Sequence, residues 1–446
     1  MVTTLAESVL DWCVEAVDRK LQEEATAYAA AERAAKDLIS VAVCGRAQPA
    51  VAIARSLAAE TGATGRSPIW STDRLADPVS AAFVNGTAAQ ALDYDDVAPE
   101  GVAHLSSIIV PCVAALADRI DPVEHLPALA RGYAIAARLA RLMGRPSYDA
   151  GLQPTHTLGT LGAVGALLFG LRSPTATRRA AFSLVASQLI GLRAHTGSRY
   201  KAMQAGIAAA GAVRAVLLAQ RGMEGGVRAL DDVLNRLGAD TNTEVLGEKD
   251  LAPAFLGAKF IPTCGGVHTA VEATLAVRSQ LDDSQRASST LSVRVPPRIN
   301  RHMHFLVPAN PDEARFSVAY CVAGAWVLGH VTPPMFTETA ITDPRIVDVI
   351  PTLRLIDDST MAPNGDEAVV EATGPFGTVS HRVDHRFGYP RRVPTDSDMR
   401  RKFVDCLSSA LGAQEADALY ERARSEQTVQ ALQAAVRVNL IEPDGR

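Results

Sequence analysis

The chain has 446 residues, 48% of them hydrophobic, which is enough to bury a large core and points to two or three domains. Its 44 basic and 49 acidic residues leave a formal net charge of -5 and are interspersed rather than blocked, which argues against nucleic acid as a partner. Six cysteines (Cys13, Cys44, Cys112, Cys264, Cys321, Cys406) are scattered with no Cys-x-x-Cys pair, as reduced thiols of a cytoplasmic protein are.

Leu5, Val9, Leu10, Cys13, Val14, Val17 and Leu21 recur at helical spacing behind Thr3 or Thr4 as a cap, so the chain opens with an amphipathic helix. Glu7, Asp11, Glu15 and Asp18 interrupt that segment and exclude an export signal. Helices are expected over 29–39 and 50–60, then a loop over 62–68 and a short extended piece at Ile69-Trp70-Ser71. The Asp77-Pro78 pair starts the next helix. From there helices are expected over 106–117, 126–142, 158–169, 176–192, 200–220 and 227–237. Their Ala and Gly content implies close helix packing, and Gly159, Gly162 and Gly165 fall on one face. The uncharged stretches 151–171 and 316–336 reach membrane-spanning length, but Gln153, Pro154, His156, His330 and two prolines interrupt them, so both read as buried core and no membrane partner is expected.

After Lys259 the pattern changes. A helix over 267–279 is followed by alternation at Leu291, Val293 and Val295, a helix over 313–328, a helix over 343–349 with a strand over 352–356, and a hairpin over 369–383 turning at Gly374-Pro375-Phe376-Gly377. Thr395 caps a helical tail running to Val438. The fold class is therefore mainly α: an all-helical domain over 1–262, a smaller α+β lid inserted over 263–394, and a helical return over 395–446 that packs on the first domain.

Phosphate-binding, dinucleotide and Gly-x-Ser-x-Gly signatures are absent. His302-x-His304 and His381-x-x-x-His385 sit in poor contexts for zinc, so no metal is expected. What stands out is the small-residue helix 81–92 running into Asp93, Asp95 and Asp96, where the helix dipole disfavours acids, with His104 returning after a short loop. Lys201 and Lys259 lie in surroundings otherwise poor in charge. With Asp93, His104, His268 and Tyr320 they offer cations for substrate carboxylates and groups able to move a proton.

The motifs Ala-Ala-Phe-x-Asn-Gly and Ala-Leu-Asp-Tyr-Asp-Asp, His104-x-Ser, Gly-x-x-Pro-Thr at 151–155, Lys201, the segment from Lys259 to His268, and Arg315-Phe316-Ser317-x-x-Tyr320 together resemble the MmgE/PrpD family, in order and over nearly the whole chain. That family includes 2-methylcitrate dehydratase, cis-aconitate decarboxylase and iminodisuccinate epimerase. The resemblance implies a homodimer, no cofactor and a small polycarboxylate bound between two domains. It implies Asp93, His104, Lys201, Lys259 and Tyr320 as catalytic positions, with Gln153, Gln204, His268, Tyr148 and Arg199 binding substrate.

Two departures bear on the reaction. Gln153 and Gln204 stand where dehydrating and decarboxylating members carry histidines, and Val97 replaces a threonine. An amide cannot exchange a proton near neutral pH. Elimination suffers more from that loss than epimerisation does, so the expected activity is an epimerase acting by α-proton abstraction and return on a dicarboxylate resembling iminodisuccinate. A dehydratase or decarboxylase of small polycarboxylates is the alternative, and a non-catalytic binder of small acids is a third reading.

Overall fold

The computed structural model describes residues 8–62, 64–144, 146–238, 243–423 and 428–438. Among the described residues the longer helices of the first body are α1 (Val9–Ala16), α2 (Glu24–Cys44), α3 (Pro49–Glu60), α4 (Pro78–Gln90), α5 (Ser106–Ala115), α6 (His125–Met143), α7 (Pro154–Gly170), α8 (Thr175–Val185), α9 (Tyr200–Ala219) and α10 (Ala229–Arg236). Asp77 caps α4 through Val79 N and Ser80 N, as the Asp-Pro pair foretold. The opening helix differs from expectation: Ser8 is its cap, and Leu21 has left the helix to bridge Leu251. Thr3, Thr4 and Leu5 lie outside the described residues. The helix expected over 176–192 stops at Val185, and α7 begins four residues earlier than its apolar pattern suggests, because Pro154 fits the first helical position.

Small residues bring these helices together at backbone distance. A Cβ on Gly86 of α4 would lie 3.1 Å from Gly206 Cα of α9, and one on Gly206 would lie 2.2 Å from Phe83 O. Gly162 meets the Gly132 carbonyl of α6 in the same way, at 2.7 Å, and Gly159 and Gly165 take up Ile108 and Ile135. By length and composition α9 could cross a membrane, but it is largely buried against α4, α5, α7 and α8.

The second body contains α11 (His268–Arg278), strand β1 (Thr290–Val295), α12 (Val318–Leu328), and strands β2 (Arg354–Asp357), β3 (Ala368–Gly374) and β4 (Gly377–Val383). The sheet order is β2-β1-β3-β4, with β1 parallel to β2 and the other pairs antiparallel. Leu291, Val293 and Val295 alternate inward, joining Val370 and Ala372 against α11 and α12 in a core of their own. The single helix expected over 313–328 is broken at Arg315-Phe316-Ser317, where Ser317 caps α12 through Tyr320 N at 3.0 Å. The chain then returns as α13 (Asp396–Leu411), α14 (Ala413–Arg422) and α15 (Thr428–Val438). Thr395 and Asp398 close the capping box of α13, and Phe403, Leu407 and Leu432 join the core of the first body.

The α4/α9 crossing sets the site, since Asp93 follows α4 and Lys201 begins α9 on the same side of the Gly86–Gly206 contact. Gly206→Ala is expected to lower stability by about 1–3 kcal/mol, because its methyl meets unyielding backbone. Gly211→Ala meets only the tip of Gln188 and should be neutral or stabilising. Urea denaturation of the two variants checks the difference, and equal midpoints would refute it.

Candidate active site

Four separate stretches of chain supply the polar cluster. Asp93 leaves α4 with φ +51°, a left-handed turn that aspartate tolerates better than most residues. Beyond it the chain folds back on itself: Ala98 and Ala103 exchange backbone hydrogen bonds at 2.8 and 3.2 Å, which returns His104 to Asp93. Thr155 Oγ1 then accepts from His104 N at 2.9 Å, and Ser107 Oγ donates to His104 O at 2.9 Å. The Thr of Gly-x-x-Pro-Thr therefore holds the histidine's backbone. Lys259 arrives on a segment paired to Val97 through two bonds of 2.9 Å and tied to Gly388 by Ala258 N at 3.0 Å.

These elements converge on one oxygen. Asp93 Oδ1 lies 3.0 Å from Lys201 Nζ, 3.1 Å from Lys259 Nζ and 3.6 Å from His104 Nε2. Lys259 Nζ also donates to Asp93 O at 2.9 Å, gripping the left-handed residue by carboxylate and carbonyl together. On the other edge of the ring, His104 Nδ1 lies 3.1 Å from Asp95 Oδ2. Burial alone would raise Asp93, but the ammonium charges of Lys201 and Lys259 outweigh it and hold the carboxyl well below its usual range. Burial lowers His104 against the pull of Asp95, and the lysine charges lower it further, so the imidazole is neutral near pH 7. Asp96, behind them, is pushed up to about 7 by burial and by Asp95.

Of the positions implied by the family resemblance, Asp93, His104, Lys201 and Lys259 meet in this cluster. His268 sits beside it, buried, with Nε2 3.4 Å from Thr263 O and its pKa pushed down to about 3 by burial and then by Lys259 and Arg386. It cannot take a proton there near neutral pH. Tyr320 is not part of the cluster: its hydroxyl donates to Met335 O at 2.7 Å, inside the core of the second body. The amide of Gln204 closes on the backbone of one residue, accepting from Leu192 N at 2.7 Å and donating to Leu192 O at 3.2 Å. Gln153 precedes α7 and lies against Gly191, bonded through its backbone N to Gly191 O at 2.9 Å. The two glutamines thus share the 191–192 segment. His156 turns away, with Nε2 2.9 Å from Gln188 O. Tyr148 lies under the Arg193 guanidinium, 3.9 Å from its ring, and Arg199 is exposed, paired to Glu338 at 3.1 Å.

Asp93, Asp95 and His104 form a group whose ligand atoms lie within 4.8 Å of one another. The two ammonium groups on Asp93 would repel a metal cation there. His302 Nδ1 is instead 2.8 Å from Arg193 Nη2, and His385 Nε2 is 2.9 Å from Arg391 Nη1.

Several residues beside the cluster escaped the sequence reading. Lys402 of α13 is buried, 2.7 Å from Asp37 Oδ1 of α2, and donates to Tyr94 O at 2.9 Å, so it braces the residue between Asp93 and Asp95. Arg386 packs flat on Gly265 and pairs with Asp366 at 2.8 Å, next to Tyr389. No spacing in the chain marks Lys402 or Arg386. Asp95 does carry a signal, since alternation in Asp-Tyr-Asp puts Asp93 and Asp95 on one side of an extended piece.

The model of the MmgE/PrpD N-terminal domain matches residues 9–235, and that of the MmgE/PrpD C-terminal domain matches residues 261–426. Cis-aconitate decarboxylase from Mus musculus is 24% identical over 369 residues, covering 76% of this chain and 73% of the relative. The same enzyme from Homo sapiens is 24% identical over 369 residues, covering 76% and 74%. With both family domains matched in order around the buried Asp93 cluster, the chain belongs to the MmgE/PrpD family.

Proposed function

We propose that this protein is a lyase that releases carbon dioxide from a small unsaturated polycarboxylate of the cis-aconitate type, using the Asp93, His104, Lys201 and Lys259 cluster. The observation that carries the reading is the pair of ammonium groups converging within 3.1 Å on one carboxylate oxygen, beside a neutral imidazole. Two ammonium charges face one carboxylate there, so a substrate carboxylate that joins Asp93 completes the charge pairing. The similarity to cis-aconitate decarboxylases favours decarboxylation over the epimerisation expected from the two glutamines. That expectation also loses half its basis, because the Gln204 amide is engaged by Leu192.

In the proposed step the carboxylate one carbon removed from the double bond leaves as CO2. The electron pair of the broken C–C bond becomes a new double bond, the old double bond moves its electrons to its far carbon, and that carbon takes a proton. Lys201 and Lys259 hold the remaining carboxylates and the charge that develops between bond breaking and protonation. His104 delivers the proton from Nε2. The free imidazole is neutral, depressed by burial and by the lysine charges; incoming carboxylates offset those charges, and Asp95 then supports the imidazolium. The cluster is nearly closed to solvent, Lys259 being only 1% exposed, so the α+β body acts as a lid that parts to admit substrate.

The reaction is followed by proton NMR with cis-aconitate in deuterated water. New vinyl signals with release of CO2 are expected. Deuterium entering an α-carbon of an iminodicarboxylate with its skeleton retained would favour the epimerase instead. Lys201→Ala is expected to lower turnover by at least about 10²-fold with the fold intact by circular dichroism. Undiminished turnover in that variant would remove the cluster from the mechanism. The pH profiles give a further check. The ordinary imidazole pKa is about 6.5. His104 lies below it in the free enzyme, so kcat/KM should begin to fall with rising pH below about 6.5, while kcat falls only at a higher pH, where the substrate-bound imidazolium titrates. Coincident profiles would exclude His104 as the proton donor.

A further inference from the structure

Away from the Asp93 cluster, a groove of about 930 Å³ opens where α3, the turn 69–76 and α15 meet. Its walls carry Arg55, Arg74 and Arg437 beside Ser71, Thr72 and Asp73. None of the three arginines is ion-paired among the described residues. A fourth, Arg46, stands behind them and accepts from Arg55 Nη2 through its carbonyl at 2.5 Å. Burial and the charges of Arg46 and Arg74 push the Arg55 guanidinium below its ordinary value.

The floor of the groove is rigid. The strand pairs Ser67–Ala76 and Pro68–Leu75 close the turn, and Asn85 of α4 clamps it, accepting from Trp70 N at 2.9 Å and donating to Pro68 O at 2.9 Å. Thr72 Oγ1 donates to Ile69 O at 2.9 Å, and Arg74 N donates to Thr72 Oγ1 at 3.2 Å. Ser71 is held at φ +63°, and its hydroxyl, on a residue only 8% exposed, has no hydrogen-bond partner. A buried hydroxyl without a partner costs free energy unless a ligand meets it. Repulsion among guanidinium groups is likewise relieved by an anion between them.

We propose that this groove is a second ligand site, which binds a small polyanion bearing two or more phosphate or carboxylate groups between Arg55, Arg74 and Arg437, with the Ser71 hydroxyl as a further donor. The volume is in the range of small-molecule sites, and the fixed turn limits the ordering cost of binding. Asp73 at the rim disfavours a ligand that extends its charge past Arg74.

Calorimetric titration of the whole protein tests this with pyrophosphate and with citrate, which distinguish a phosphate from a polycarboxylate ligand. Sodium chloride at matched ionic strength is the control. At least one of the two should bind the wild-type protein, and the same one should bind Lys201→Ala with unchanged affinity. The double substitution Arg55→Gln, Arg74→Gln should weaken binding about tenfold or more. Arg74→Gln alone, at an exposed position, gives a partial loss without burden on folding. The proposal is overturned if neither polyanion binds, if the arginine variants bind as wild type does, if Lys201→Ala abolishes binding, or if sodium chloride reproduces the signal.

Discussion

Two ammonium groups and one carboxylate, all removed from water, hold this structure to a narrow set of arrangements. Each charge would be costly alone in the interior, and Coulomb attraction offsets that cost only while both ammonium groups stay within about 3 Å of the carboxylate. Lys201 comes from a helix start, Lys259 from a connecting segment and Asp93 from a helix exit, so the constraint reaches into three parts of the backbone. It explains why α4 and α9 touch at Gly86 and Gly206: any wider spacing would draw Lys201 from Asp93. It also explains the left-handed Asp93, whose carbonyl and carboxylate must both face Lys259. Buried ion pairs are weak evidence of stabilisation, and replacement by apolar side chains often stabilises a fold. Their presence here is better explained by chemistry than by stability.

A second buried pair repeats the pattern one layer back. Lys402 and Asp37 sit on the far side of Tyr94, and Asp37 stays above its usual range because burial outweighs the attraction of Lys402. Between the two pairs lie Asp95 and Asp96, both fully enclosed, of which only Asp96 is raised toward neutrality. His104 has Asp95 beside Nδ1 and the lysine-bound carboxylate of Asp93 toward Nε2. One segment from Asp93 to Asp96 thus sorts its acids by environment, which is how neighbouring carboxyl groups come to serve different ends.

Much of the helical scaffold was legible, because apolar periodicity and caps such as Asp77 and Thr395 act locally. The four residues of the cluster were legible too, Asp93 because an acid at a helix exit opposes the dipole and the lysines because their surroundings lack charge. What escaped was long-range. Tyr320 lies three residues beyond the Ser317 cap, and no local signal tells that its hydroxyl finds Met335 rather than a ligand. Gln204 was expected to bind substrate, yet its amide is taken up by the N–H and C=O of Leu192, brought from another stretch of chain. The break at Arg315 was hidden by apolar residues that continue on both sides of Ser317, and it turns the arginine inward to Gln48 at 3.2 Å. The motif residue Asn85, which resembles a site residue by its company, serves instead to clamp the turn at Trp70.

Lys402 gives the return of the chain a kinetic meaning. The brace on Tyr94 comes from a residue some 300 positions later in the sequence, as does the Phe403 and Leu407 packing beside it. Domains emerging from synthesis tend to fold in order, first the amino-terminal part. Here the first body can collapse early, but Asp37 waits, buried without its counter-charge, until the last helices arrive. The contacts of Lys402 with Asp37 and with the Tyr94 carbonyl, beneath Asp93, can form only once the carboxyl-terminal helices have been made and docked. Bracing of the site is in this sense a late act of folding, timed by the distance in sequence between an aspartate and its lysine.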